Sequence, residues 1–436
     1  MMRLVLTLTL TVALAEAQIP PTLPPQLSLS QALEIALANS TTLREAQANF
    51  DQAVGQYEQS RSVLLPQVGF GARQSYLTMN LQGIGIDLPS APGLIGPFGS
   101  MDARVTVTQD ILNIANRRSS RSYSSRRESS RFMVENAREA ITLDVVGAYL
   151  QALRARASRD TLLEQTRLAN DLYRITSERL AQGVASQLDA NRAKQQANSL
   201  EQQRLEAEQS YAAAKLDLAN LLHANITDNF EVTDTSAYGS GDLPDRDATV
   251  KSALASRPDY RAAMTEVTAA ELKVKSVAAT RLPTFHVSFD DGFMGNSPVH
   301  NNNTYRLQGQ LNVPIFTGGR ISGEVHELEG ALREAETIRD RTRTQIEADV
   351  LTAATGVEWS LKQLATSLEN VGLSRQELQL TRERFLQGIA DNTEVVDAQD
   401  RLSRADDANI RAQYTLGLAR ANLARASGSA LTTYRK

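Results

Sequence analysis

The spacing of hydrophobic positions along this chain runs helical, alternating and helical again, and then repeats that order. After an extended lead with Pro20, Pro21, Pro24 and Pro25, Ser28 and Gln31 form a capping-box pattern that predicts a helix start. A break at Asn39-Ser40-Thr41 and a stop at Pro66 delimit a short helix, a turn and a longer helix to about Leu64. The period then becomes two. Val68, Phe70 and Ala72 oppose Arg73 and Ser75, and Ala103, Val105 and Val107 oppose Arg104, Thr106 and Thr108. A Gly/Pro-rich stretch from Leu81 to Ser100 reads as the loop between these two strands.

The second half repeats the device. Phe285, Val287 and Phe289 alternate with His286, Ser288 and Asp290, and Leu307, Gly309, Leu311 and Val313 alternate with Arg306, Gln308, Gln310 and Asn312. The loop here, Met294 to Asn303, is short and polar. Hairpins are therefore expected over about 66–111 and 283–315, with strands near the length that crosses a bilayer when tilted. Proline-free helical stretches follow, Arg117 to Gln182 and Arg320 to Gln387, the second with a stripe at Leu361, Leu364, Leu368 and Val371. Each would be about 100 Å long. Gly183 and Gly388 stop them, and return helices are expected from Ser186 to His223 and from Asn392 to Ser427.

The two halves are one blueprint drawn twice. In Ser30–Phe70 and Thr249–Val287, Leu37-Ala38 falls on Leu254-Ala255, Arg44 on Arg261, and Pro66 on Pro283. This divides the chain into a first repeat over 18–225, a polar connector at the waist over 226–248, and a second repeat over 249–436. Ahead of them, Arg3, the apolar run Leu4 to Leu14 and the small residues Ala15 and Ala17 read as a secretory signal peptide over 1–17. No later stretch is apolar and long enough for a membrane-spanning helix.

Composition narrows the chemistry. Aromatics are only 5% of residues, which suits long helices packed through small side chains. A net charge of −4 argues against nucleic acid as a partner. Cysteine is absent and His223, His286, His300 and His326 are scattered without ligand spacing, so neither a metal nor any other cofactor is expected. No nucleophile and base, paired acids or phosphate loop points to an enzyme. Four amphipathic strands cannot close a barrel, and open edges are not tolerated in lipid, so other copies of the chain must complete them. Three copies would supply twelve strands, within the range of outer-membrane barrels.

Here the sequence resembles the TolC-like outer-membrane efflux and secretion channels across nearly its whole length. The likeness rests on LSLSQALEIALANSTTLREAQ from Leu27, ASRPDYRAA from Ala255, LNVPIFTGGR from Leu311, and the paired turns ERLAQGVASQLDA and ERFLQGIADNTEVVDA. It implies a mainly α chain of duplicated helix-hairpin-helix halves with a transmembrane β-barrel, assembled as a homotrimer whose 12-stranded barrel continues into a long periplasmic α-helical barrel. It also implies the outer membrane as its place, and a periplasmic adaptor (membrane fusion protein) that joins it to an inner-membrane pump of RND, ABC or MFS type. An exported coiled-coil scaffold, or the periplasmic adaptor itself, is the rival reading, but it leaves the two hairpins unexplained.

The resemblance also assigns residues. Acidic positions after the second turn glycine, Glu394 and Asp397, match rings at the periplasmic aperture, though acids at a helix start also suit the helix dipole. Family members often latch the closed tip with a Tyr and an Arg around the second glycine. Phe385 and Ala390 stand at those positions here, while the acidic partner survives as Asp189, leaving Arg382 or Arg384 as substitutes. Adaptor docking is expected around Leu180, Gly183, Val184, Phe385, Gly388 and Ile389. Arg104, Thr106, Thr108, Ser288, Asp290, Arg306, Gln308 and Gln310 are the strand residues expected to face the lumen. Tyr76, Phe98, Phe293 and Tyr305 are candidate interface aromatics. The cluster from Arg117 to Arg131 reads by default as a solvated or lumen-facing helix start, with a contact to anionic lipid as the sharper reading.

Overall fold

The computed structural model describes residues 21–81, 83, 85, 93–239 and 245–435. The leader read over 1–17 lies outside them, as do 240–244 in the connector and most of 82–92. In chain order come β1 (Gln26–Leu27), α1 (Leu29–Asn39), α2 (Thr41–Ser62), β2 (Gln67–Asn80), β3 (Leu94–Leu112), α3 (Ile114–Ala181) and α4 (Gln187–Leu221). They are followed by β4 (Glu231–Val232), α5 (Arg246–Ser256), α6 (Pro258–Ala278), β5 (Thr284–Gly295), β6 (Asn301–Asn312), α7 (Arg320–Leu386), α8 (Asn392–Ala426) and α9 (Ala430–Tyr434).

Local chemistry sets the boundaries. The Gln31 amide donates to Ser28 Oγ at 3.3 Å and the Ser28 amide to Gln31 Oε1 at 3.1 Å, which closes the capping box of α1. Ser40 Oγ accepts from the Leu43 amide at 3.2 Å and opens α2. In the second copy Pro258 takes the first helical position of α6, where its missing N–H costs nothing. The long helices α3 and α7 have 68 and 67 residues, so each is about 100 Å long. The return helices α4 and α8 are 35 residues each, shorter at the far end than the spacing predicts. For α4 the reason is visible: His223 adopts a φ of 50°, which the helix cannot propagate.

One antiparallel sheet has the order β2-β3-β5-β6, so the two hairpins lie side by side. Its strands of 14, 19, 12 and 12 residues exceed the predicted lengths. Leu94–Ser100 pairs as strand where a loop is expected, and Met294, Gly295 and Asn301–Asn303 do the same. Below the sheet the columns α2, α3, α6 and α7 pack in the same lateral order, and α4 and α8 pack on the lower parts of α3 and α7.

The connector is not a plain linker. β4 pairs in parallel with β1, Gln26 opposite Glu231 and Leu27 opposite Val232. Phe230, Val232 and Ala237 are buried in the main core with Leu27, Leu33, Val145, Tyr149 and Leu218. Tyr149 ties the layers together, donating to Leu27 O at 2.7 Å and accepting from the Asp234 amide at 3.1 Å. Burial raises its pKa above the ordinary value, so it stays a donor. On the other side of the waist, Arg257 bridges Asp259 at 2.6 Å and Asp349 at 3.0 Å.

Candidate functional site

The register sorts the sheet into two faces. Val68 lies opposite Val107, Phe70 opposite Val105, Val107 opposite Phe289, and Phe289 opposite Leu307, so these side chains share one face. Gln74, Gln109, Asp291 and Asn303 are polar exceptions on it. This face has no partner among the described residues: Phe70 is 74% exposed and Leu307 70%. Such a continuous apolar surface marks contact with protein or lipid.

The other face carries all eight strand residues singled out for the lumen. Thr106 lies opposite Asp290, Thr108 opposite Ser288, Ser288 opposite Gln308, Asp290 opposite Arg306, and His286 opposite Gln310. Thr106 Oγ1 donates to Asp290 Oδ1 at 2.8 Å, and Arg104 pairs with Asp102. Arg104 faces Gly292, where a Cβ would meet the Ala103 carbonyl oxygen at 2.2 Å. The glycine lets the strands close up beside the arginine.

At the opposite end, Gly183 and Gly388 take φ values of 76° and 74°, the left-handed conformation that ends α3 and α7. Val184 and Ile389 beside them are exposed, while Leu180 is half-buried. Leu188 and Leu386, which the sequence reading passed over, are exposed there as well. Phe385 differs. It is buried with Leu172, Leu378, Val395 and Leu402, so it packs the two turns together.

The substitute latch through Asp189 is not formed among the described residues. Asp189 accepts from the Ser186 amide at 3.2 Å and from its hydroxyl at 2.6 Å, completing a capping box on its own helix. Neither Arg382 nor Arg384 reaches it, and Arg384 instead pairs with Glu394 at 3.2 Å. The physical reason is proximity: a free amide three residues away outcompetes a side chain on another helix. The link across the turns comes from Arg179, which donates to the carbonyls of Phe385 and Leu386, both at 3.1 Å, and stacks 4.4 Å from the Phe385 ring. Asn392 Nδ2 to Asp189 O at 2.9 Å and Arg192 to Thr393 Oγ1 at 2.9 Å reinforce it.

Glu394 and Asp397 are exposed along one groove of about 640 Å³, with Glu377, Arg384 and Arg401 on its walls. Arg384 offsets Glu394, and Arg401 offsets Glu377 at 3.0 Å. Asp397 has no cationic partner among the described residues. Among the described residues no group of acids and histidines could hold a metal ion. No described helix is long and apolar enough to cross a membrane, which leaves the amphipathic sheet as the element suited to lipid.

A sequence model of the outer membrane efflux protein family matches residues 32–223 and 249–429, one stretch in each half. The chain belongs to that family. Among similar proteins, the pyoverdine export outer membrane protein OpmQ of Pseudomonas putida is 28% identical over 392 residues, 88% of this chain and 82% of the relative. The toluene efflux pump outer membrane protein TtgC, from another strain of the same species, is 25% identical over 427 residues, 92% and 83% of the two chains. The fold is that of solved outer-membrane channels. VceC of Vibrio cholerae superposes with a TM-score of 0.77 at 21% identity, covering 92% of this chain and 96% of that one. CmeC of Campylobacter jejuni gives 0.77 at 19%, covering 92% and 86%. This outer membrane efflux protein is thus an efflux channel of the outer membrane, and the scaffold reading falls away.

Proposed function

We propose that three copies of this outer membrane efflux protein join edge to edge into a passive exit duct. A periplasmic adaptor docks on its tip and connects it to an inner-membrane pump of RND, ABC or MFS type. The observation that carries this is the sheet itself: a four-stranded antiparallel sheet with β2 and β6 as open edges and one apolar face uncovered. In lipid, every such edge needs a partner strand, and a second copy's β2 is the natural one for β6. The apolar face then meets lipid and the polar face, from Arg104 to Gln310, lines the water.

On this reading the two halves, 18–225 and 249–436, are quasi-equivalent staves joined through 226–248, and the uneven family match leaves that connector outside both. Val184, Ile389, Leu188 and Leu386 around Gly183 and Gly388 form the adaptor-docking rim. Glu394 and Asp397 face the narrowest point and favour cations. The pump supplies both energy and selection. One relative is named for pyoverdine export and another for toluene efflux. Such different cargoes fit a wide duct that selects little.

The test is purification in mild detergent followed by planar-bilayer recording. A mass of three chains and discrete cation-preferring conductance are expected. A protein that stays monomeric and never conducts would overturn the reading.

A further inference from the structure

We propose that Arg117, Arg118 and Arg121 at the head of α3 form a docking belt for the phosphate headgroups of anionic phospholipids in the leaflet nearest the helices. The inference rests on the membrane placement of the sheet given above. The orientation of α3 is fixed by its first turn. Asn113 Nδ2 and Asn116 Nδ2 both donate to Asp110 Oδ2, at 2.8 and 3.1 Å, and Asp110 Oδ1 meets His286 Nδ1 at 3.0 Å. His286 lies opposite Gln310 on the polar face of the sheet, so Asn116 marks that side of the helix.

With 3.6 residues per turn, Arg117, Arg121 and Arg118 project about 100°, 140° and 200° away from Asn116. They therefore fall on the side continuous with the apolar face. Arg117 donates to the carbonyl of Ile111 at 3.3 Å, and Ile111 and Leu112 are exposed apolar residues at the end of β3. Arg118 donates to Lys275 O at 2.9 Å, which holds its guanidinium across the α3–α6 seam. An apolar strand end followed within one or two turns by three cations is the arrangement that suits a headgroup layer: hydrocarbon above, phosphate below.

None of the three pairs with a carboxylate among the described residues. Farther down the same helix the pattern reverses, and Arg131 pairs with both Glu128 and Glu135. The first acidic residue of α3 is Glu128, so the three arginines next to the sheet have no carboxylate on the first turns of their own helix. Subunit joints do not cover them, since α3 sits between α2 and α6 in the row of columns, while the open edges run along β2 with α2 and β6 with α7. Arginine suits the role because its planar fork binds phosphate in a bidentate manner.

The experiment uses the full-length protein in neutral detergent, delipidated and then offered phosphatidylglycerol or phosphatidylcholine, with retained lipid counted by native mass spectrometry. Wild type is expected to retain phosphatidylglycerol in preference. Arg117→Gln/Arg118→Gln/Arg121→Gln should weaken retention about fivefold per arginine, whereas Arg333→Gln/Arg341→Gln/Arg343→Gln on α7 should leave it unchanged. Arg121→Gln alone serves where the triple variant misfolds. Equal retention by the belt variant, equal loss in the α7 control, or equal retention of phosphatidylcholine would overturn the belt. Displacement of the lipid by excess inorganic phosphate would do so too, reassigning the site to free phosphate. Conductance of wild type reports separately on the duct: a conducting protein without the lipid preference refutes the belt alone.

Discussion

Single residues decide how charge is spent in this channel. At the tip, Glu394 shares its charge with Arg384 at 3.2 Å, while Asp397 keeps its own. Removing Asp397 should therefore matter more. Asp397→Asn is expected to lower the cation-to-anion permeability ratio in bilayers more than Glu394→Gln does, and the reverse order would show that Arg384 leaves Glu394 in the assembled tip. At the waist, burial opposes ionisation of Asp259, but the hydrogen bond and charge of Arg257 outweigh it and hold the carboxyl below its ordinary value of 3.8. A depressed carboxyl pKa contributes stability that is complete above the unfolded value and is lost as pH falls through the folded value. Denaturant midpoints should thus be flat from pH 7 to about 5 and fall below about 4. Arg257→Ala leaves Asp259 buried without its partner, which should cost about 3 kcal/mol at pH 7 and move the acid-sensitive range upward. A variant with the wild-type midpoint and pH profile would show that Arg425, whose charge also favours the ionised Asp259, holds this corner without Arg257.

At the scale of elements, the helices were legible because their period persists over 68 and 67 residues, and the duplicated register placed both hairpins. The strand ends were not. Leu94–Ser100 continues β3 through Gly96, Pro97 and Gly99, residues that read as loop, because pairing with β2 supplies what local preference does not. The connector hid its structure for a related reason: a two-residue pairing of β4 with β1 is too short to leave a period. Arg179 was illegible among many arginines on α3, since its targets are backbone carbonyls in the last turn of α7, and no side-chain pattern encodes them. Alternation within the sheet makes a sharper demand. Leu307 and Gln308 are neighbours in β6 on opposite faces, so Leu307→Arg should cost about 2–4 kcal/mol of membrane insertion if it sits near mid-bilayer, while Gln308→Arg should be tolerated and shift selectivity toward anions. Outer-membrane yield and heat-modifiable mobility read the first; reversal potentials read the second. Equal tolerance of both would deny that this face meets lipid.

The whole molecule follows from what one chain leaves undone. Its strands form an open four-stranded sheet, with β2 at one edge and β6 at the other. Three strand spacings separate those edges within a chain, about 14 Å, too far for a disulfide, which needs Cα atoms within about 7 Å. Across a subunit joint the same two strands become neighbours. The chain has no cysteine, so engineered pairs report without background. Phe70→Cys combined in turn with Tyr305→Cys, Leu307→Cys, Gly309→Cys and Leu311→Cys samples successive registers on the apolar face of β6. Oxidation should yield a ladder of one, two and three chains that stops at three, strongest for one register and absent for its neighbours. Because the ends of a closed ring have no spare edge, no fourth rung is expected even at high protein concentration. A ladder running past three would mean open lateral growth, and no ladder in any register would mean that β2 and β6 never meet.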